Sequence, residues 1–350
     1  MINTPQILDG LWSRGTPCPF SEIIDVRSPG EYAEDHVPGA INLPVLNDVE
    51  RAEVGTIYQQ VGPFPARKLG AALVSANISR HLRDHFADKG KDYRPLVYCW
   101  RGGQRSASLS HILAQIGWRV SVLNGGYKTY RTHVLRELET LPESFAYRII
   151  AGATGTGKTQ ILHRLAERGE QILDLEALAN HRGSVLGRMG PQPSQKLFDS
   201  QLLHALNAFA PDKPVWVESE SNRIGDVYLP PTLWALLRAA DGFRIHVPIA
   251  GRVQHLLLEY AHLLADGETL KGKLNAIAIR HGPHQIEVWN RQIEACDWHA
   301  LVASLLTVHY DPAYAKSSGR CYPNISRNIP MRDVSPEAVD ELATLLLAAC

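Results

Sequence analysis

Cysteine is scarce in this 350-residue chain, and its scarcity excludes two architectures. An odd number of cysteines, five, is spread widely over the sequence. Such a number and spacing exclude a disulfide framework and a C-x-x-C zinc site. Because isolated thiols stay free in a reducing compartment, we expect a cytoplasmic protein. The five cysteines are Cys18, Cys99, Cys296, Cys321 and Cys350.

An excess of charge and a long apolar run are also missing. The chain carries 36 Lys and Arg residues against 36 Asp and Glu residues, so its formal net charge is zero. A basic field over the whole molecule is therefore excluded, and a nucleic acid must be bound through a local patch or through its shape. Because no apolar run is long enough to cross a bilayer, we expect no membrane anchor.

What is present is an alternation of strand-like and helix-like segments, which occurs twice along the chain. Such alternation is typical of parallel α/β sheets, and the length fits about two domains. We predict a first domain over residues 1–138, a connector over residues 139–146 and a second domain over residues 147–350. The second domain is expected to end in a mostly helical part, with a last core strand at residues 306–310.

Cys99 stands at a junction that favours a reactive thiol, after an apolar strand and before a helix. Loop N–H groups and a helix N-terminus then converge on one point, and such a nest binds anions and favours a thiolate. Arg101 and Arg105 add positive charge around Gly102 and Gly103. We therefore predict a nucleophile in an anion cradle. The alternative is a buried structural cysteine.

The segments around this cysteine resemble the rhodanese domain. DVRSPGEY at residues 25–32 and HVPGAINLP at residues 36–44 resemble its entry signature, and NGGY at residues 124–127 resembles its closing signature. Cys99 falls at the family's catalytic position, which implies a carrier of sulfur or selenium. Five residues separate Cys99 from Arg105, where common rhodanese loops have four. The longer loop resembles that of phosphatase-like relatives and favours a phosphate-bearing donor or selenium.

A second motif, GATGTGKT at residues 152–159, matches G-x-x-x-x-G-K-[ST]. A strand is predicted before it and a helix after it, as a phosphate-binding loop requires. Backbone N–H groups of such a loop wrap a phosphate, its lysine reaches adjacent oxygens and its threonine hydroxyl can hold Mg²⁺. The residues predicted to bind a diphosphate are Gly152, Thr154, Gly155, Gly157, Lys158 and Thr159.

Two carboxylates are candidates for an acid that holds Mg²⁺, or acts in acid–base chemistry, beside this loop. Asp174 and Glu218 each end an apolar strand, and either can hold the ion through water. Each can equally be a solvated carboxylate at a strand end, and the sequence leaves both interpretations open. The sequence establishes no firm metal site and no adenine-specific signature.

The two motifs together resemble the bacterial tRNA 2-selenouridine synthases nearly end to end. Segments at residues 50–58 and 66–77 resemble the helical insert of that family. Those at residues 174–184, 218–225 and 309–314 resemble motifs of its second domain. The resemblance implies an α/β fold, with a rhodanese-like parallel-sheet domain followed by a P-loop NTPase-like domain.

The resemblance also implies a two-step reaction at the wobble 2-thiouridine of tRNAs for lysine, glutamate and glutamine. A geranyl group from geranyl diphosphate is first placed on the sulfur, and selenium from selenophosphate then replaces the geranylated sulfur. We expect no tightly bound cofactor, with Mg²⁺ as an optional companion of the diphosphate. The expected partners are tRNA and an enzyme that supplies selenophosphate, and the protein is expected to be a monomer.

A local basic stretch is the candidate for the tRNA contact. Arg182, Arg188, Arg223 and Arg252 can add to it, and Trp289 or Trp298 can stack on a base. For each residue alone, the sequence favours a solvated helix face with core tryptophans. The stretch comprises Lys271, Lys273, Arg280, His281 and His284.

Three other functions stay open at this stage. The first is an ATP-dependent tRNA sulfurtransferase that uses the same Cys99. The second is a non-enzymatic regulator that combines a rhodanese fold with a P-loop switch. The third is a cysteine phosphatase, which the five-residue spacing between Cys99 and Arg105 suggests.

Overall fold

The computed structural model describes residues 4–9, 18–182, 190–264, 266–278, 281–325 and 327–349. The chain divides into two compact units. The first comprises Met1–Leu138 and Pro193–Ala208, and the second comprises Glu139–Gln192 and Phe209–Cys350. The sequence-based division differs in two respects: it assigns residues 193–208 to the second domain, and it treats residues 139–146 as a connector, whereas they belong to the second unit.

The first unit is built on a five-stranded sheet in which all neighbouring strands are parallel. The strands lie in the order β1-β5-β4-β2-β3, so β4 is central. Its apolar residues pack against the surrounding helices in one buried core. The strands are β1 (Gln6–Leu8), β2 (Glu22–Asp25), β3 (Ile41–Asn42), β4 (Pro95–Tyr98) and β5 (Ser121–Leu123).

Five helices connect these strands. An Asn47–Glu50 capping box begins α2, and Gly117 in the left-handed region ends α4. These signals fix where the chain enters and leaves the helices. The helices are α1 (Pro29–Glu34), α2 (Asp48–Gln60), α3 (Pro63–Asp84), α4 (Gln104–Ile116) and α5 (Gly126–Thr140).

The second unit is built on another parallel five-stranded sheet, with a short antiparallel hairpin beside it. Its strand order is β12-β11-β6-β8-β7, which places β6 at the centre and β8 next to it. Both units therefore confirm the predicted α/β class. The strands are β6 (Tyr147–Gly152), β7 (Gln171–Leu173), β8 (Val215–Glu218), β9 (Arg223–Ile224), β10 (Val227–Tyr228), β11 (Gly242–His246) and β12 (Arg327–Pro330).

The helices of the second unit are concentrated in its C-terminal part, as the sequence predicts. A 3-10 turn, Leu141–Ser144, joins the end of α5 to β6. The helices are α6 (Lys158–Glu167), α7 (Leu175–Ala179), α9 (Pro231–Ala239), α10 (Ile249–Glu259), α11 (Ala261–Leu264), α12 (Gly267–Ala278), α13 (Pro283–Glu294), α14 (Trp298–Leu305), α15 (Asp311–Cys321) and α16 (Pro336–Ala348). The remaining helix, α8 (Gln195–Asn207), belongs to the first unit. Within the described ranges, no helix is long and apolar enough to span a bilayer.

The predicted strand at residues 306–310 is wrong. Leu306–Tyr310 forms a π-helical turn that joins α14 to α15. Its Leu-Thr-Val content favours a strand by local preference, but the segment packs between helices, and tertiary packing decides such cases. The edge strand of the sheet is β12, which pairs with β11.

Candidate functional site

The Cys99 thiol is held at the end of the central strand of the first unit. Cys99 follows β4 directly and is 3% exposed. The Gly103 N–H and the Ser106 hydroxyl both donate to its Sγ, each at 3.2 Å. Because α4 begins at Gln104, the positive end of the helix also lies beside the sulfur. The thiol is therefore held in place by polar groups on the loop and on the first turn of α4.

Two glycines allow the cysteine loop to approach the next strand–helix turn closely. Gly102 and Gly126 have φ values of +65° and +59°, in the left-handed region that favours glycine. A Cβ at residue 126 would lie 2.2 Å from the Cys99 carbonyl oxygen. The N–H of Tyr127 donates to that same oxygen at 2.8 Å. The closing NGGY segment therefore holds the cysteine loop in place through this hydrogen bond.

The two loop arginines are used differently. Arg105 forms a two-point ion pair with Glu31, with N–O distances of 2.6 and 3.2 Å. Burial alone would raise the pKa of Glu31, but the hydrogen bonds and charge of Arg105 outweigh it and lower the pKa. The Arg105 charge is therefore largely neutralised by Glu31 and acts less on the Cys99 thiol. Arg101 is exposed and makes no ion pair within the described residues.

A buried polar network supports the same loop from the entry signature. Arg27, 1% exposed, pairs with Asp25 at 2.6 Å and donates to the Asp35 carbonyl oxygen at 2.6 Å. Its guanidinium also lies 4.0 Å from the centre of the Tyr127 ring, whose hydroxyl donates to the Asp35 carboxylate. Since the buried Arg27 guanidinium is paired with Asp25, the DVR segment is a fixed support for the closing segment and its loop.

The glycine-rich loop of the second unit connects β6 to α6, as a phosphate loop requires. Gly155 and Gly157 have φ values of +82° and +73°. A Cβ at residue 157 would lie 2.4 Å from Val334 Cγ1, so only glycine fits there. All six residues predicted to bind a diphosphate line one cavity of about 440 Å³, here called the phosphate cavity.

A buried arginine braces this loop. Arg252, 6% exposed, donates to the Thr154 carbonyl oxygen at 2.8 Å. It also forms a two-point pair with Asp311, at 2.6 and 3.0 Å. Arg252 is a candidate tRNA contact by sequence, but this geometry makes it a positioning residue for the loop.

Only one of the two candidate acids faces the loop. Glu218 ends β8, next to β6, and accepts a hydrogen bond from the Thr159 hydroxyl at 3.2 Å. Its other oxygen, Oε1, is buried and has no partner within the described part of the chain. Asp174 instead caps α7 through the Ala177 N–H at 2.8 Å and contacts His163 at 2.7 Å.

Two further glutamates, missed by sequence reasoning, join Glu218 in the phosphate cavity. Carboxylate oxygens of Glu176, Glu218 and Glu220 all lie within 4.8 Å of one another. Burial and the neighbouring charge of Glu176 raise the pKa of Glu218 to about 8. Burial, and then the Glu220 charge, likewise raise the pKa of Glu176. Glu220 follows β8 by two residues, and only the fold brings Glu176 to it.

Lys158 lies among these carboxylates and stays protonated. Burial by itself would lower the pKa of Lys158, but the charges of Glu218, Glu220 and Glu176 outweigh it and raise the pKa. When all three carboxylates are ionised, their negative charge exceeds that of the single ammonium, and a divalent cation bound there would favour this ionised form. The unpartnered Glu218 oxygen and the Thr159 hydroxyl are oxygen donors of the kind that Mg²⁺ prefers. The residues therefore fit Mg²⁺.

Residues of the C-terminal helices also line the phosphate cavity. His255 and Arg182 both pair with Glu259, at 3.2 and 3.1 Å. His309 and Tyr310 reach the cavity from the π-helical turn. π-helical turns are rare and occur often at functional sites. The HYDPAY segment that includes these residues is the sequence signal for this wall.

The predicted tRNA contacts lie mostly in polar pairs. Lys271 pairs with Glu268 and Glu294 at 2.9 and 3.0 Å, and Lys273 is half-buried. His281 contacts His309 at 2.8 Å. Arg280 and Arg188 lie outside the described residues.

The two candidate tryptophans belong to the helical core. Trp289 is fully buried and donates to Ser304 at 3.0 Å, so the prediction that it stacks on a base is wrong. Trp298 packs, partly buried, against the same core. The alternative favoured by the sequence, core tryptophans, describes both residues.

Comparisons with known proteins agree with the two-part organisation. Residues 10–133 match the model of the rhodanese-like domain, and residues 145–335 match that of the tRNA 2-selenouridine synthase AAA domain. Among solved structures, a rhodanese-related protein from Thermoplasma volcanium aligns at 20% identity over 32% of this chain and 77% of its own, with a TM-score of 0.21.

Curated relatives extend the agreement over most of the chain. A tRNA 2-selenouridine synthase of Nitrosomonas europaea is 39% identical over 68% of this chain and 63% of its own length. The alignment thus spans less than two thirds of that relative. A tRNA 2-selenouridine synthase of Shewanella denitrificans is 34% identical over 83% of this chain and 87% of its own length. The chain therefore belongs to the tRNA 2-selenouridine synthase family.

Proposed function

We propose that this protein replaces the sulfur of 2-thiouridine in tRNA with selenium. The relatives that it matches carry the name tRNA 2-selenouridine synthase. The observation that carries the proposal is the pairing, in one chain, of two different reactive sites. One is a buried thiol with two hydrogen-bond donors on its sulfur, and the other is a phosphate loop surrounded by carboxylates.

The first proposed step is geranylation of the thiocarbonyl sulfur. The sulfur attacks C1 of geranyl diphosphate, the C1–O bond breaks, diphosphate leaves and N3 of the base loses its proton. Lys158 and the loop N–H groups neutralise the charge that grows on the leaving diphosphate. Mg²⁺, when bound, neutralises part of the same charge, with Glu218 and Thr159 as its protein ligands.

The second proposed step is selenium insertion. A thiocarbonyl sulfur is a poor leaving group, whereas a geranylated sulfur leaves as geranyl thiol and makes C2 electrophilic. Water cleaves the Se–P bond of selenophosphate, phosphate leaves, and a small-molecule disulfide takes up the two electrons released as an S–Se bond forms on Cys99. The selenium then attacks C2, the C2–S bond breaks and geranyl thiol leaves. A thiol finally cleaves the S–Se bond, which returns the two electrons and frees Cys99. Cys99 is the proposed selenium carrier, and the polar contacts of its sulfur with the Gly103 N–H and the Ser106 hydroxyl support this role by fixing its position. The long cysteine loop favours a phosphate-bearing donor.

The proposal also includes the surroundings of the reaction. The tRNAs are those for lysine, glutamate and glutamine that carry 2-thiouridine, and an enzyme that makes selenophosphate supplies the donor. We propose that the protein acts in the cytoplasm as a monomer and binds no cofactor tightly.

A second candidate, an ATP-dependent tRNA sulfurtransferase, is favoured by one observation. Glu218 ends the strand next to β6 and contacts Thr159, the arrangement that holds Mg²⁺ beside a nucleotide in many phosphate-loop enzymes. The same arrangement serves a magnesium diphosphate. The two functions therefore differ in their requirement for ATP rather than in this contact.

Mass spectrometry of nucleosides from thiolated tRNA tests the proposal. The tRNA is incubated with the protein and with geranyl diphosphate, selenophosphate or both, with and without ATP. We expect S-geranyl-2-thiouridine with geranyl diphosphate alone and 2-selenouridine with both donors, in each case without ATP. Conversion that strictly requires ATP would contradict the proposal and favour the sulfurtransferase.

A further inference from the structure

A small apolar cavity opens beside the phosphate loop. Its volume is about 60 Å³, and its exposed surface is almost wholly apolar. It lies among α10, α11, α12, α14 and the π-helical turn, and all its wall residues belong to the second unit. We call it the apolar cavity.

The apolar cavity adjoins the phosphate cavity. Four residues line both: Thr154 of the loop, Leu256 and Tyr260 at the end of α10, and Tyr310 of the π-helical turn. A ligand held by the phosphate loop therefore has an apolar space directly next to its phosphates. A nucleotide base would lose its hydrogen bonds to water in that space and would find few polar partners there. A hydrocarbon chain has no hydrogen bonds to lose.

Leucines of the helical core form much of the wall of the apolar cavity. Leu270 and Leu301 are 3% and 1% exposed and belong to the core that contains Trp289. Leu264, on the opposite side, is only half-buried. Apolar cavities of this kind stay dry and bind apolar molecules. Since the space is small, it limits how much of a chain can enter it.

We propose that the apolar cavity holds the distal end of a short isoprenoid chain whose diphosphate lies in the phosphate loop, and that Leu264, Leu270 and Leu301 set the length of that chain. The inference rests on the proposed function, because it assigns residues and a length limit to the geranyl diphosphate of the first step.

Equilibrium binding of diphosphates of increasing chain length is the first test. The probes are inorganic diphosphate, dimethylallyl diphosphate with five carbons, geranyl diphosphate with ten and farnesyl diphosphate with fifteen. We expect the wild-type protein to bind the ten-carbon probe about tenfold or more tightly than the five-carbon probe, because each buried methylene adds affinity. The fifteen-carbon probe should bind less tightly than the ten-carbon one. Equal affinity for all four probes would overturn the inference.

Variants of the wall give the second test. Leu264→Trp fills the cavity from its half-buried side, so it should lower the affinity for geranyl diphosphate to that for the five-carbon probe and leave inorganic diphosphate unchanged. Leu270→Ala enlarges the cavity and should improve the binding of farnesyl diphosphate relative to geranyl diphosphate. Leu258→Trp, at a residue that is 80% exposed on α10, is the matched control and should change nothing.

The outcomes separate this inference from the function on which it rests. If the protein geranylates thiolated tRNA but both wall variants keep the wild-type chain-length preference, the inference is wrong and the function stands. If the wild-type protein neither binds geranyl diphosphate nor transfers its chain, the proposed function fails, and the inference fails with it.

Discussion

At the scale of single residues, each site depends on the groups that surround one reactive side chain. Ser106 and Gly103 donate to the Cys99 sulfur, and the surrounding carboxylates keep Lys158 protonated. Each site concentrates opposite charges in a small volume, so single substitutions should change one half-reaction and spare the other.

Cys99→Ala should abolish selenium insertion and leave geranylation intact, because only the second proposed step needs a selenium carrier. Cys18→Ser is the control, since Cys18 is an exposed thiol. The measurement is the yield of 2-selenouridine and of S-geranyl-2-thiouridine by nucleoside mass spectrometry. Normal 2-selenouridine formation by Cys99→Ala would refute the role of this residue.

Lys158→Ala should slow geranylation by about tenfold to a hundredfold, the effect of losing a charge-assisted contact of about 1.5–3 kcal/mol. Selenation of tRNA that is already geranylated should fall much less, because that step releases no diphosphate. Rates of the two half-reactions, measured separately, check this expectation. An equal loss in both would indicate a shared tRNA site or a structural role for the loop.

Glu218→Gln should stabilise the metal-free protein at alkaline pH. Burial and the Glu176 charge raise the pKa of Glu218 from 4.5 to about 8. Between these values the folded protein holds a proton that the unfolded chain releases, so the free energy of unfolding falls as pH rises from about 5 to about 8. Glu218→Gln cannot ionise at this position, so its free energy of unfolding does not fall in this way. Its Tm should therefore exceed that of the wild type by several degrees at pH 8.5, since each kcal/mol of stability changes the Tm by about 2–4 °C.

The same comparison at pH 4.5 should show little difference, because Glu218 is then largely protonated in both states. The Tm of each variant is measured by thermal unfolding at both pH values in the presence of a chelator. Glu53→Gln, at an exposed residue of α2, is the control. A gain in Tm that is independent of pH would contradict the titration of Glu218.

At the scale of elements, strand–loop–helix junctions place both reactive groups. β4 leads into α4 around Cys99, and β6 leads into α6 around Lys158. In each case the loop follows the carboxyl end of a central parallel strand, where ligands of open α/β sheets bind. Glycines in the left-handed region let these loops turn tightly and approach their neighbours.

Gly126→Ala should disrupt the cysteine loop. Its Cβ would lie 2.2 Å from the Cys99 carbonyl oxygen and 2.6 Å from the Gly102 nitrogen, at a φ of +59°. We expect a loss of stability of about 1–3 kcal/mol and a loss of selenium insertion. Gly55→Ala, in α2 with open space around it, should be neutral or stabilise by about 0.5–1 kcal/mol. Chemical denaturation of both variants measures the difference, and equal stability would contradict the steric argument.

At the scale of the whole molecule, the first unit is discontinuous in sequence. α8 lies after β7 in the chain but packs with the first unit, where Arg131 pairs with Asp199 at 2.5 Å. Phe198 and Leu202 of α8 are fully buried. A chain cut at residue 138 therefore separates the first unit from one of its own helices.

A fragment of residues 1–138 should accordingly be less stable than the first unit in the full-length protein. Adding a peptide of residues 193–208 should raise the Tm of the fragment, because the peptide restores the buried apolar contacts and the ion pair. The same peptide with Asp199→Ala and Phe198→Ala is the control and should have little effect. No change in Tm with the native peptide would show that α8 contributes nothing to this unit.

Much of the fold could be predicted from the sequence because its signals are local. Apolar runs predict β2, β4, β5, β6 and β8, and the two motifs place Cys99 at a strand end and Lys158 at the start of a helix. Local preference failed at residues 306–310, where β-branched content indicates a strand but packing between helices imposes a π-helical turn. It also missed β12, whose pairing depends on β11.

The sequence by itself determined the two-part α/β organisation, the nucleophile candidate and the phosphate loop, since each is encoded in a contiguous stretch of residues. Only the tertiary structure decided that Glu218 and not Asp174 faces Thr159, and that Glu176 and Glu220 join it. It also decided that Arg252 braces the loop and that leucines from distant helices form one cavity. These relations join residues far apart in the chain, and folding alone brings such residues into contact.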